Sequence, residues 1–530
     1  MIIIVDFGSQ TTHLIGRRIK ELGVEVRIIN PEEILAKVKN DKPEGIILSG
    51  GPSSVYEKNA PTIDPIIFTF GIPILGICYG LQLTAHLLEG RVVAGKKEYG
   101  PAEFRIQNSE FRIVDELPQQ FTVWMSHGDE VVRLPKGFKV IGSSDGVPFA
   151  FVENSNKKIY GLQFHPEVEH TQHGLQMLKN FTEICDLNNY FKHQNKVKDQ
   201  KSKVKTTAQS LKLKNEIKEI KEKIKKTVGE KDYVIGAVSG GVDSTVAAIL
   251  TVKAIGKRFI PIFVNNGLMR DETEEHLKKI FRKIKIKPIV INAVGEMLKR
   301  LKGITDPEQK RKIIGNFYIE IFEQEMKKFK AQKIPVRFLL QGTIYSDVIE
   351  SQGTKNAAKI KSHHNVGGLP SKMRLKLLEP LRHFYKDEVL EIGEKLGLPD
   401  EFVKRQPFPG PGYAIRIRGE VTTERLLMER QADIIVLEEL KKAGILKNVF
   451  LSFPVLTGAL STAVKGDGRN FGEVVAIRVV ESKDIMTSVW TRLPYEVLQR
   501  MSSRIVNEVP NVSRVVYDIT TKPPATMEWE

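Results

Sequence analysis

An apolar run from Tyr233 to Val238 breaks at Gly240-Gly241 and resumes with helical spacing from Thr245 to Ile255. Few folds accept that order. Strand, two glycines and helix make the layout of a phosphate-binding turn, in which the glycines admit positive φ and bring backbone N–H groups close to an anion. Ser239 and Ser244 add hydroxyl donors, Asp243 adds a carboxylate, and the following helix N-terminus adds partial positive charge. No Gly-Lys-Ser or Gly-Lys-Thr follows the glycines, so this is not the Walker arrangement.

The turn resembles the SGGxDS pyrophosphate loop of N-type ATP pyrophosphatases, which break ATP between its α and β phosphates. That resemblance implies ATP contacts from Ser239, Gly240, Gly241, Val242, Asp243 and Ser244. It also puts the adenine against the next strand, Phe259 to Val264, with the backbone of Val264 reading its edge. Asn265 stands where similar proteins carry aspartate.

A chain of 530 residues is long enough for about three domains, each with its own core. The net charge of +17 is concentrated: from Lys192 to Lys231 roughly fourteen lysines face five acids. Only Cys78 and Cys185 occur, which excludes a disulfide framework and any multi-cysteine metal site and suits a reducing cytoplasm. The start lacks a basic segment and is broken by Asp6, and no stretch of about eighteen apolar residues appears, so neither a secreted nor a membrane protein is expected.

Residues 1–187 alternate short β-branched runs with helical patterns, which predicts a doubly wound parallel sheet with strands at Ile2 to Val5, Gly45 to Leu48 and Ile74 to Ile77. Ligands collect at the carboxyl ends of such strands. One end is Gly76-Ile77-Cys78-Tyr79-Gly80, a strand-to-helix turn that aims a nucleophile out of the sheet while the helix favours its thiolate. Another is His165-Pro166-Glu167, where the proline fixes the backbone so that the carboxylate orients the imidazole. Together they resemble the Cys-His-Glu triad of class I glutamine amidotransferases. The resemblance implies an oxyanion hole from the N–H groups of Gly51 and Tyr79, and a glutamine pocket lined by Gln82, Ser126, His127 and Asp129.

Residues 188–208 read as a lysine-rich linker, followed by an amphipathic helix through Leu211, Leu213, Ile217, Ile220 and Ile224. In the ATP half, 209–400, Asp347 and Glu350 lie at i and i+3 on one helix face and, with Asp243, are candidate carboxylates for Mg²⁺ beside a triphosphate. The polar stretch around Lys361, His363 and His364 has glycines and no core pattern, and reads as a loop able to close over the site.

The amidotransferase segment, the SGGVDS loop, the IKSHHNVGGLP stretch, Pro407 to Gly412 and the KPPATMEWE segment from Lys522 occur in one order. That combination resembles the glutamine-hydrolysing GMP synthase family over nearly the whole chain. The resemblance implies a lid with Lys361 reaching the nucleotides and an α+β homodimerisation domain at 401–530. It implies further that Arg311, Arg514, Lys522, Met527 and Glu528 hold xanthosine 5′-monophosphate (XMP). Gln406 stands where close relatives often have histidine, and Arg416 and Arg418 are expected along a strand. The implied partners are glutamine, ATP with Mg²⁺ and XMP, with no membrane and no nucleic acid. Two other readings are another ATP-pyrophosphatase amidotransferase and a basic nucleic-acid-binding protein. Intact Cys78, His165, Glu167 and Asp243 speak against the second.

Overall fold

The computed structural model describes residues 1–187, 202–345, 347–348, 375–465, 468–482 and 484–530. Nine described strands form the first sheet: β1 (Ile2–Val5), β2 (Val26–Ile29), β3 (Gly45–Leu48), β4 (Ile74–Ile77), β5 (Arg91–Ile106), β6 (Gln120–Arg133), β7 (Lys139–Ser144), β8 (Phe151–Asn154) and β9 (Ile159–Leu162). Their order is β2-β1-β3-β4-β9-β8-β7-β5-β6. Pairing is parallel from β2 to β9, as the alternating pattern predicts, and antiparallel from β9 to β6. In the parallel part β1, β3, β4 and β9 are buried along their whole length, so near-continuous aliphatic runs suit them. The antiparallel extension was not anticipated. It brings residues 126–129 of β6 to the carboxyl end of β4, and helices α1 (Thr12–Glu21) and α2 (Tyr79–Leu87) follow β1 and β4.

The second sheet is parallel throughout, in the order β12-β11-β10-β13-β14, from β10 (Tyr233–Ala237), β11 (Phe259–Asn265), β12 (Ile289–Asn292), β13 (Val336–Leu340) and β14 (Lys376–Leu378). The chain steps outward from β10 in one direction and returns on its other side. The carboxyl end of β10 is therefore the switch point where such sheets bind ligands, and the two-glycine turn lies there.

Helix α3 (Ser202–Val228) begins inside the stretch expected as linker, and 188–201 lie outside the described residues. Its Leu213, Ile217, Ile220 and Ile224 pack into the same core as α4 (Val242–Ile255), so the periodic part is the face buried on the ATP half. That core also takes Phe402 and Val403.

The third sheet pairs β15 (Leu451–Lys465) with β16 (Gly468–Glu481), and β16 with β17 (Val489–Trp490) and β18 (Val512–Tyr517). Helices α7 (Thr423–Lys442) and α8 (Tyr495–Glu508) contribute to its core, giving the α+β arrangement. The ATP half supplies two more helices used below, α5 (Pro307–Ala331) and α6 (Lys386–Lys395). The expected strand through Arg416 and Arg418 is absent among the described residues. A 3₁₀ turn occupies Gly412–Ile415 and a single bridge joins Ile417 to Leu456. Gly412, at the start of that turn, is held at φ 63° so close to Leu268 that a Cβ would stand 2.1 Å from its carbonyl oxygen.

The halves dock through α1. His13 Nδ1 meets the Tyr345 hydroxyl at 2.8 Å, and Arg17 stacks 4.6 Å from the Tyr385 ring and pairs with Asp387.

Candidate active sites

Cys78 sits at the end of β4 with φ 52° and ψ −105°, a left-handed conformation costly for a residue with a Cβ. The neighbouring glycines explain how the turn closes. A Cβ on Gly76 would lie 2.7 Å from the Gly80 carbonyl, and one on Gly80 only 2.3 Å from the Leu48 carbonyl oxygen. Backbone from three segments meets there, which leaves the thiol projecting from the sheet. Tyr79 opens α2, so its N–H is among the helix donors without an internal acceptor. Gly51 lies beside Tyr79, with its Cβ position 3.3 Å from that ring, and Gly50 is similarly close to His165. Gly50 and Gly51 thus lie next to the Cys78 turn.

His165 contacts Cys78 and holds Glu167 Oε1 at 2.8 Å from its Nδ1, with both residues buried. Burial pulls the imidazole pKa down, but the Glu167 carboxylate and the Cys78 sulfur outweigh it and raise it well above its ordinary value. The imidazole is therefore held as a cation beside the Glu167 carboxylate. That is the state needed to sustain a thiolate and to protonate a leaving amine.

The glutamine-pocket candidates gather around this pair. Ser126 offers its carbonyl 3.6 Å from Cys78 Sγ, and Gln82 Nε2 donates to the Asp129 carbonyl at 2.8 Å. His127 Nδ1 lies 3.1 Å from that same carbonyl, and burial lowers the pKa of its ring. Sequence reasoning missed Gln163, whose Nε2 lies 3.7 Å from Cys78 Sγ and whose Oε1 faces Gln82. Its signal was position, two residues before His165 on the same strand end.

At the second site Gly240 turns with φ 86°; Ser239 Oγ accepts from the Gly241 N–H and lies 3.1 Å from Ser244 Oγ, and the Ser244 hydroxyl also reaches the Gly241 carbonyl at 3.1 Å. Gly342, after β13, packs so closely on this turn that a Cβ there would lie 2.7 Å from the Ser244 nitrogen. Beside the turn, Val238, Ile262, Val264, Met269 and Tyr318 line a small apolar cleft. Asn265 accepts from the Gly267 N–H at 3.1 Å, and so shapes the turn after β11.

Asp243 has a partner that sequence reasoning missed: Lys386 Nζ lies 2.7 and 2.8 Å from its two oxygens. A lysine in the first turn of α6 runs against the helix dipole, and that was the available signal. Asp347 accepts from the Ile344 N–H at 3.0 Å, which makes it a cap for its own turn. Glu350 lies outside the described residues, as do Lys361, His363 and His364.

The five XMP candidates divide. Arg311, on α5, reaches Glu308 and the Glu530 carbonyl. Glu528 pairs with buried Arg416 at 3.0 Å, and Met527 packs against the cluster of Leu451 and Phe453 while its carbonyl accepts from Arg478. Lys522 Nζ donates to the Ile485 carbonyl at 2.7 Å. Arg514 lies on the exposed side of β18, and among the described residues no contact ties it to the other four. Gln406 accepts from the Ser452 N–H and hydroxyl, a neutral structural role.

Family models match three segments: residues 3–185 the class-I glutamine amidotransferase, 212–318 the NAD synthase and 438–529 the GMP synthase C terminal domain. The chain is 49% identical to the glutamine-hydrolyzing GMP synthase of Aquifex aeolicus, over 100% of this chain and 99% of that one. It is 48% identical to its counterpart in Clostridium botulinum, with coverage of 100% and 99%, and 47% identical to that of Lactobacillus acidophilus, with coverage of 100% and 98%. A nucleophile turn with its buried His–Glu pair, a phosphate turn at the switch point of a second sheet and identity near one half from end to end lead to one assignment: the chain belongs to the glutamine-hydrolysing GMP synthase family.

Proposed function

We propose that this enzyme runs two coupled reactions and that the buried Cys78–His165–Glu167 constellation carries the first. Cys78 attacks the side-chain amide carbon of glutamine, and the oxyanion is met by the N–H groups of Gly51 and Tyr79. His165 protonates the departing ammonia, and water then releases glutamate from the thioester. Preorganised donors of this kind are worth about 3–4 kcal/mol each in the transition state.

In the second reaction the purine 2-oxygen of XMP attacks the α-phosphorus of ATP, and pyrophosphate leaves into the turn at 239–244. Ammonia then adds at C2, AMP departs and GMP remains. Ser239, Ser244 and the N-terminus of α4 hold the leaving pyrophosphate, and Lys386 places a cation beside it. The cleft at Val264 and Tyr318 receives the adenine. A Mg²⁺ ion suits a turn that offers the single carboxylate of Asp243, because this cation takes most of its ligands from phosphate and water. It supplies charge neutralisation on the phosphates. Arg311, Lys522 and Glu528 are the XMP contacts this reading favours.

A homodimer is supported by the β15–β16 ribbon, one face of which carries Leu460, Val464 and Phe471 at 74, 76 and 60% exposure. A free two-stranded ribbon with an apolar face is marginal alone. A reducing cytoplasm suits a nucleophile that must remain a thiol.

The test supplies ATP, Mg²⁺ and XMP with either glutamine or ammonium chloride, and measures GMP, AMP and pyrophosphate while the same preparation is sized by sedimentation. GMP is expected from both nitrogen sources, and Cys78→Ala should keep only the ammonium-driven reaction. Glutamine-driven synthesis by that variant, or pyrophosphate release without GMP, overturns the respective half.

A further inference from the structure

Three cations with no solvent exposure grip the segment 518–530. Arg478 donates to Asp518, Thr520, Thr526 and Met527, Arg416 holds Glu528, and Lys310 Nζ lies 2.8 Å from Glu530 Oε2. Lys310 differs from the other two in where it comes from. It belongs to α5 of the ATP half, and its remaining donors go to the carbonyls of Ala414 at 3.0 Å and Ile417 at 2.6 Å. An ammonium has three donors, and here all three have acceptors. The neighbouring Arg311, an expected XMP contact, reaches the main chain of Glu530, so one residue of the segment is held by two successive cations of α5.

We propose that Lys310 is a positioning residue for nucleotide recognition: by holding the Glu530 carboxylate inside the protein it fixes the segment carrying Lys522 and Glu528 against the Arg311 end of α5. This rests on the XMP reading given above. An interior lysine is costly unless paired, and burial lowers its pKa while Glu530 opposes that fall. Such a group is poorly explained as a stability device, because an apolar side chain of equal size would pack as well. Its value lies in specifying where the acidic partner goes. Without the clamp Glu530 is left as a carboxylate only 6% exposed, facing Arg418 at 3.8 Å, and the end of the segment beyond the Arg478 and Arg416 contacts loosens toward water. XMP must then reorder it on binding, so the loss falls on XMP affinity, while the glutaminase site is built from other elements.

The test compares Glu530→Gln and Lys310→Met with the unchanged protein in ammonium-driven synthesis. The KM for XMP is expected to rise at least tenfold in both, with the KM for ATP and XMP-independent glutamine hydrolysis within twofold. The double variant should cost no more than the worse single one. Glu530→Gln removes the pairing charge without disturbing α5, so it remains informative if Lys310→Met folds poorly. An unchanged KM for XMP in Glu530→Gln overturns the proposal, and so does an equal loss in every activity, which marks a structural role alone. If the unchanged protein turns XMP over to no GMP, it is the underlying XMP reading that fails.

Discussion

The two proposed catalytic centres of this enzyme are built on opposite plans. Around Cys78 the backbone is closed: β3, β4 and α2 approach so tightly that glycine is required at 76 and 80, and His165 and Glu167 have almost no solvent contact. Around Ser239–Ser244 the turn is open, the serines and Asp243 are partly exposed, and the balancing charge arrives from Lys386, far along the chain. Acyl transfer through a thioester needs fixed dipoles at one developing oxyanion and a dry imidazolium, so rigidity serves it. Phosphoryl chemistry brings its own charges with the substrate, so the protein supplies positioning groups that a nucleotide can reach.

The largest effect should come from loosening the closed site electrostatically. In Glu167→Gln the anion that holds His165 protonated is gone, and burial, which pulls the imidazole pKa down, is left unopposed on that side. The raised pKa keeps the imidazolium populated as pH climbs past neutrality, so its loss should move the alkaline limb of glutamine hydrolysis to lower pH. The rate at neutral pH should fall by about 10²–10⁴, with ammonium-driven synthesis unaffected. A pH–rate profile of unchanged shape would show that Glu167 does not set the His165 charge.

At the open site a single charge should matter less. Lys386→Met removes the partner of Asp243 and with it a cation beside the phosphate turn. Charge-assisted contacts of this kind are worth about 1.5–3 kcal/mol, which corresponds to a KM for ATP raised by about 10–100-fold. If KM stays within twofold while kcat falls, Lys386 acts in the transition state, and the contrast between the two sites narrows.

The same contrast governs how much was legible in the sequence. The closed site announces itself because strain is local: Gly-x-Cys-x-Gly and His-Pro-Glu each carry their geometry within five residues. The parallel strands β1, β3 and β4 were readable for the same reason, being buried on both faces and uniformly aliphatic. What escaped depends on which segments pair, which no local motif states. The antiparallel extension joins β5 to β6 and to β7, and Lys386 meets Asp243 across 143 residues. Lys310 meets Glu530 across 220. The turn at 412–418 escaped too, because alternation of Arg and Ile there reflects one buried arginine and one bridge rather than a strand.

A third region sharpens the comparison, because it is closed yet belongs to neither of the two centres. Glu429, on α7, is fully buried and neither of its carboxylate oxygens has a hydrogen-bond partner among the described residues. Burial raises its pKa well above the ordinary range; Arg416 opposes the rise, and Asp433, Glu528 and Glu473 add to it. Unlike His165, it is pushed toward its neutral form. A carboxyl with a raised folded-state pKa stabilises the fold fully below its unfolded pKa of about 4.3, and that contribution is lost as pH rises through the folded value. Glu429→Leu removes both the desolvation and the titration at similar volume. It should stabilise the protein by about 1–3 kcal/mol near pH 8, and the advantage should shrink toward pH 5. Thermal midpoints of both proteins across that range decide the matter. A difference that does not change with pH would show that Glu429 is held by something other than a neutral carboxyl, and burial without catalysis would then no longer mark the boundary between the two kinds of closed site.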